Sequence, residues 1–180
     1  MQIIDVPNDE KIIRKVATCL IDGFTTFGVQ PWESLDEAIE EVEDSFAEDR
    51  ISRIAVDENS DVLGWIGGIY EYALVWELHP LVVRSDLQGQ GIGTALVKDL
   101  EQQVKQRGGL TIQLGTDDEA NQTSLGGIEL YPNPLAKLAE IKNLKRHPFE
   151  FYQKLGYEIT GVVPDANGFG KPDILMCKRM

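Results

Sequence analysis

Gln88-Gly89-Gln90-Gly91-Ile92-Gly93-Thr94 is the stretch on which the fold turns. It stands between an apolar run, Trp76 to Val83, and an amphipathic segment whose Leu96, Val97 and Leu100 share one face. A strand that passes through glycines into a helix start leaves successive backbone N–H groups pointing one way. The helix terminus adds partial positive charge, and together they make an anion cradle suited to a pyrophosphate. A tight strand-to-helix turn would use the same glycines, so the loop by itself leaves both readings open. It is not a Walker loop, because no Lys-Ser/Thr follows the glycines, and no early βαβ unit frames it.

Upstream of the loop the pattern is mostly strand. Ile51–Val56 and Val62–Tyr70 flank a hairpin-turn composition, Asp57-Glu58-Asn59-Ser60-Asp61, and Leu74–Val83 is a third strand. Pro80 interrupts that third strand, where pairing should break. Earlier still, Gln2–Val6 reads as a short strand. Asn8-Asp9-Glu10 then caps a helix carrying Ile12, Ile13, Val16, Leu20 and Ile21 on one face and ending near Gly23. Residues 24–33 form an aromatic loop holding Phe27 and Trp32. Ser34, with Glu37 three residues on, makes a capping box for an acidic helix reaching about Ala47.

Downstream, the helix from Gly91 to Arg107 closes at Gly108-Gly109. A strand, Leu110–Gly115, a polar loop over 116–134 and helices over Leu135–Leu144 and Pro148–Leu155 follow. Two last strands, Tyr157–Val163 and Asp173–Lys178, flank a turn at Asn167-Gly168. No linker or repeat divides the chain, which predicts a single domain over 1–180. The order of elements predicts a mixed α/β (α+β) sheet and not an alternating Rossmann pattern.

Composition narrows the function. At 180 residues, 42% hydrophobic and 26% charged, the chain reads as a globular protein. It has no apolar run of the ~18–20 residues that span a bilayer. The start lacks the layout of a secretory signal, and two cysteines, Cys19 and Cys177, give neither a disulfide framework nor a metal cluster. These features predict a cytoplasmic protein without a metal. Seventeen Lys and Arg against thirty Asp and Glu leave a net charge of −13. Nucleic acid and anionic membranes would be repelled; a cationic ligand would be drawn in. The same excess also simply keeps a protein soluble.

The order strand, Gln88-x-x-Gly91-x-Gly93, helix, strand, then a helix carrying Phe151-Tyr152-Gln153-Lys154-Leu155-Gly156-Tyr157, resembles the GNAT superfamily of acetyl-coenzyme A-dependent N-acetyltransferases. The resemblance runs from about Ile51 to the end. Longer strings resemble one branch of it, the chromosomally encoded aminoglycoside 6′-N-acetyltransferases. These are Trp76 to Val83, Arg107-Gly108-Gly109, Leu114-Gly115-Thr116-Asp117-Asp118, His147-Pro148 through Tyr157, Pro164-Asp165-Ala166-Asn167-Gly168 and Lys171-Pro172-Asp173-Ile174.

That likeness implies a GNAT fold whose central strands splay near Pro80, with acetyl-coenzyme A in the opening. It implies direct attack by an aminoglycoside 6′-amine in a ternary complex, and a homodimer. Coenzyme contacts would come from the backbone at Leu81, Val82 and Val83 and from Gln88, Gly89, Gln90, Gly91, Ile92, Gly93 and Thr94. Glu77 and His79 alternate with Trp76 and Leu78 and share the strand's other face. On residues alone they read as an exposed carboxylate and a satisfied histidine. With the resemblance, Glu77 binds substrate or accepts its proton, and His79 supports it. Tyr152 becomes the proton donor to the departing thiolate, while Phe151, Tyr157 and His147 are structural.

A polyamine sugar needs carboxylates around it. Asp117 or Asp118 and acidic residues of the Ser34–Ala47 helix are the candidates, with Trp32 as a further substrate contact; Asn143 is offset from the asparagine that superfamily members often carry. Cys19 and Cys177 are not placed as nucleophiles, so no acyl-enzyme is expected. The alternatives are a GNAT enzyme for another amine (a polyamine or peptide amine) and a coenzyme-binding module without turnover.

Overall fold

In the computed structural model, which describes residues 1–25, 32 and 34–180, two compact units are distinguished: Met1–Ile112 with Met180, and Gln113–Arg179. Phe27, expected in the aromatic loop, lies outside the described residues. The first unit opens with β1 (Gln2–Asp5) and α1 (Glu10–Thr25). Asp9 caps α1: its Oδ1 accepts the amides of Lys11 at 2.9 Å and Ile12 at 3.2 Å. Ser34 caps α2 (Leu35–Asp44) in the same way, its Oγ accepting the Glu37 amide at 3.2 Å.

Gly23 lies near the end of α1, as the sequence suggested, without terminating it. The helix continues to Thr25, and Gly23 is buried against Val82, whose side chain fills the place a β-carbon would take. Close approach, not helix termination, is what needs the glycine here.

Four antiparallel strands follow in the order β1-β2-β3-β4, with β2 at Arg50–Val56, β3 at Val62–Tyr72 and β4 at Val75–Val83. Helices α1 and α2 cover one face over a core of Val16, Leu20, Val42, Ile54 and Trp65. Trp65 is fully buried, and its indole N–H donates to Ser52 Oγ at 3.0 Å, so no polar atom is stranded. Helix α3 (Ile92–Gln106) covers the other face, Leu96 and Leu100 lying over Gly64 and Gly68. On that side Arg53 of β2 holds Asp99 of α3 at 2.7 Å and Asp5 of β1 at 2.6 Å.

The break expected at Pro80 is a β-bulge. Gly68 pairs with Leu78 and Ile66 with Leu81, so Gly67 alone faces both His79 and Pro80. The His79 carbonyl occupies the space where a Gly67 β-carbon would stand. The extra residue reverses the in–out alternation along β4. Trp76 lies with Val104 against Gly109 on the α3 side, whereas Val82, beyond the bulge, lies against Gly23 of α1. Glu77 and His79 therefore face α1 and α2, and Leu81 and Val83 face the α3 side.

The second unit takes up β5 (Thr111–Asp117) and adds α4 (Pro134–Leu138), α5 (Phe149–Lys154), β6 (Glu158–Val163) and β7 (Asp173–Arg179), with strand order β5-β7-β6. Strands β6 and β7 are antiparallel, from Glu158 opposite Cys177 to Val163 opposite Asp173. The helix expected over 135–144 stops at Leu138. Its second half instead turns back onto the preceding loop, where the Ser124 amide donates to the Lys142 carbonyl at 2.9 Å and the Leu144 amide to Gln122 at 2.8 Å. Both units mix helix and strand, which is the expected α/β class.

Candidate functional site

Beyond β4 the chain makes one 3-10 turn, Ser85–Leu87, and enters the glycine loop. Gly89 and Gly91 have φ of 76° and 87°, values that favour glycine, and nothing lies within 4 Å of where their β-carbons would point. The conformation, not crowding, requires glycine at both. Gly91 is the N-cap of α3 and supplies no side-chain cap, so the first-turn amides of Ile92, Gly93 and Thr94 are left without one. Gln88 to Gly91 are exposed. The entry to the loop is braced: Asp22 of α1 accepts the Ser85 amide at 2.8 Å, and Gln88 Nε2 donates to the Val83 carbonyl at 3.3 Å. This is a fixed, open array of donors at a helix start, which suits a phosphate group.

On the opposite face of β4, Glu77 is half-buried and His79 exposed. Glu41 of the acidic helix α2 reaches to 3.8 Å from His79 Nε2. The structure thus brings two of the expected residues together with one particular carboxylate of α2, on a face open to a cation. Trp32 is half-buried against the α1–α2 core, edge-on to Phe24 at 5.2 Å. Cys19 is buried nearby, and burial, with the Asp22 charge, pushes its thiol up to about 12, far from a reactive thiolate.

A hollow of about 810 Å³ runs along α1 and is walled on its other side by Asp61, Val62 and Arg84–Asp86; its charges include the pairs Lys15–Asp61 and Arg84–Asp86, each at 2.7 Å. None of Glu77, His79 or Gln88 lines it.

In the second unit, Asp117 and Asp118 part company. Asp118 is fully buried, and its carboxylate accepts the Gln122 amide at 2.6 Å, the Thr123 amide at 2.9 Å and the Thr123 hydroxyl at 2.7 Å. It is the internal anchor of the 119–125 loop, which corrects its candidacy as a ligand group. Asp117 is exposed, with one carboxylate oxygen accepting from Asn167 Nδ2.

The carbonyl of Asp117 lies 3.1 Å from His147 Nε2, while His147 Nδ1 lies 3.3 Å from the Phe149 amide. A carbonyl only accepts and an amide only donates, so the ring is neutral with its proton on Nε2. Burial lowers the His147 pKa and favours that neutral form. Asn143 brackets His147 from both sides, donating to its carbonyl at 2.9 Å and accepting its amide at 2.8 Å. Its amide is committed to this turn. The histidine therefore fastens the end of β5 to the start of α5.

Helix α5 carries Tyr152, buried to 8% exposure, with Phe151 and Tyr157 edge-on at 5.0 and 5.6 Å. Desolvation alone drives its phenol above the ordinary value near 10, so it stays protonated at neutral pH.

The sequence profile of the acetyltransferase (GNAT) family matches residues 19–131. The chain belongs to the GNAT acetyltransferase family. Among solved GNAT-like structures, an aminoglycoside 6′-N-acetyltransferase complexed with coenzyme A is 44% identical. It has a TM-score of 0.89, with 99% of this chain and 97% of that chain covered. The aminoglycoside 6′-N-acetyltransferase from Enterococcus faecium is also 44% identical over 99% and 97%, with a TM-score of 0.87. The ribosomal-protein-S18-alanine N-acetyltransferase from Escherichia coli, at 16% identity over 99% and 92% and a TM-score of 0.63, shares the GNAT fold. No curated protein matches the chain in sequence.

Two carboxylates beside expected residues were not singled out from sequence. Glu41 is one of six acidic residues in α2, and nothing in its spacing marks it. Asp173 sat inside a quoted string, yet its surroundings are visible only in the fold. Among the described residues no group of three or more His, Cys, Asp or Glu could hold a metal ion, and no helix is long and apolar enough to cross a membrane.

Proposed function

We propose that the chain is an aminoglycoside 6′-N-acetyltransferase, transferring acetyl from acetyl-coenzyme A to the 6′-amine by direct attack in a ternary complex. The observation that carries this reading is the 44% identity, over 99% of the chain, to an aminoglycoside 6′-N-acetyltransferase complexed with coenzyme A. The exposed donors of the glycine loop are the fitting local chemistry. Backbone amides of Gln88 to Thr94 would bind the coenzyme's pyrophosphate, and main-chain groups of Leu81, Val82 and Val83 its pantetheine arm.

An ammonium must lose a proton before it attacks a thioester carbonyl. Glu77 takes that proton, directly or through a water, and His79 with Glu41 orients the amine end of the substrate. Trp32 is the apolar member of that face. Tyr152, kept protonated by burial, returns a proton to the departing thiolate. Asp117, and not Asp118, is the second-unit carboxylate that meets the ammonium groups of the sugar rings. The chain acts as one catalytic domain, pairs as a homodimer, works in the cytoplasm and makes its host resistant to these antibiotics.

A panel of amines assayed by thiol release tests the reading. Kanamycin-type compounds with a 6′-amine are expected to turn over and 6′-hydroxy analogues not. Equal rates with both, or turnover only with polyamines or peptides, would overturn it. Tight acetyl-coenzyme A binding without turnover of any amine would leave a binding module instead.

A further inference from the structure

Asp173 opens β7, and its carboxyl lies across the neighbouring strand onto Gly115. A β-carbon at Gly115 would stand 2.8 Å from Asp173 Oδ1 and 2.9 Å from Cγ. Gly115 and Asp117 are two apart on β5 and exposed on the same face, so the Asp173 carboxyl sits one pleat from that of Asp117. Asp173 Oδ1 is buried without a hydrogen-bond partner. The Thr116 and Ile174 amides are its hydrogen-bonding neighbours.

Among the described residues, no cation pairs with it. β6 presents Val163 opposite. In the connecting loop, Lys171 is paired with Glu119 at 3.6 Å, Asp165 accepts the Gly170 amide at 2.7 Å, and Asn167 is bound to Asp117. His147, on the Asp117 carbonyl, is neutral. Among the described residues, the charge that acts on Asp173 is that of Asp117, of like sign. An unsatisfied buried carboxylate oxygen next to a second carboxylate is costly in the ionised form.

We propose that Asp173 is a positioning residue for Asp117: the Asp173 carboxyl keeps its proton beside the Asp117 carboxylate until a substrate ammonium docks on Asp117, and docking expels the Asp173 proton to solvent. This rests on the aminoglycoside reading above. Cation binding at the pair then strengthens with pH through the range where Asp173 titrates. Burial and the Asp117 charge raise Asp173 to about 6, which sets that range. Amine groups, with ordinary values near 8 to 10, are already ionised there and contribute little.

The test is calorimetric titration of kanamycin into the full chain at pH 6, in two buffers of different ionisation enthalpy. The wild-type protein is expected to release about half a proton per kanamycin bound, from a group half-protonated at that pH. Its dissociation constant should fall about 3-fold or more between pH 5 and pH 7. Asp173→Asn keeps the shape of the side chain and should bind without release and with less pH dependence; Asp117→Asn should also lose the release. Kanamycin binding with no proton release, or release undiminished in Asp173→Asn, overturns the inference and leaves the functional reading standing. No kanamycin binding by the wild-type protein at either pH overturns the functional reading itself.

Discussion

Tyr152 and Asp173 are both titratable groups in the second unit, and burial acts on each in the same direction with different results. The Tyr152 phenol, raised by desolvation, is a permanent proton carrier at neutral pH. Tyr152→Phe should lower kcat about 100-fold, within the usual range for loss of a general acid, with little change in acetyl-coenzyme A affinity. Steady-state kinetics beside a direct coenzyme titration would check this, and a normal rate in the variant would assign the donor to water.

Asp173 is raised from 3.8 to about 6. Between those values the unfolded chain ionises while the folded chain holds its proton, so this group's contribution to stability falls as pH rises through that interval and stays low above it. Asp173→Asn should accordingly stabilise the protein at pH 7.5 by about 1–2 kcal/mol, allowing for solvent screening at a half-buried group, and hardly at all at pH 4. Urea unfolding at the two values measures the difference. His147 acts in the opposite sense: its lowered value makes the neutral folded form lose stability as pH falls below about 6.5.

Among the elements, the β4 bulge is the feature most sensitive to a single atom. Gly67→Ala would drive a methyl group into the His79 carbonyl, and Gly23→Ala would drive one into Val82. Each should cost about 1–3 kcal/mol by overpacking. Gly67→Ala should in addition raise KM for the amine more than for the coenzyme, because it displaces the residues next to Glu77. Denaturation and two-substrate kinetics on the pair separate the two effects.

The same elements mark how far the sequence could be read. Strand and helix periodicity, the Asp9 and Ser34 caps and the Pro80 irregularity were legible because each is a local signal. The place of Gly23 near the end of α1 was legible, but the reason for the glycine, the approach of Val82 across the core, was not. The helix over 135–144 was overextended because its apolar spacing is helical, yet pairing of 142–145 with the 122–124 loop overrides it. Asp117 and Asp118 are adjacent and chemically identical in the sequence. Only the fold buries one among three donors and exposes the other.

At the scale of the whole molecule, charge decides what approaches. A net charge of −13 on 180 residues attracts a polycation over distances set by the ionic strength. Raising salt from about 50 to 300 mM should raise KM for an aminoglycoside several-fold while leaving kcat nearly unchanged. A monoamine of similar size should respond far less. Initial-rate measurements at the two salt concentrations would show this, and an unchanged KM would mean that recognition depends only on short-range contacts.

The doubled-up pair His79-Pro80 opposite Gly67 has a consequence for how such a protein diversifies. Because side-chain parity inverts at that kink, substitutions at 77 and 79 alter only the α1/α2 face, while 81 and 83 point away from it. On the proposed reading, amine preference can drift by point mutation upstream of the kink, with the downstream backbone proposed to hold the coenzyme kept constant. Inserting or deleting one residue after position 80 would undo that partition in a single step, which predicts that natural variation in this strand proceeds by replacement and not by change of length.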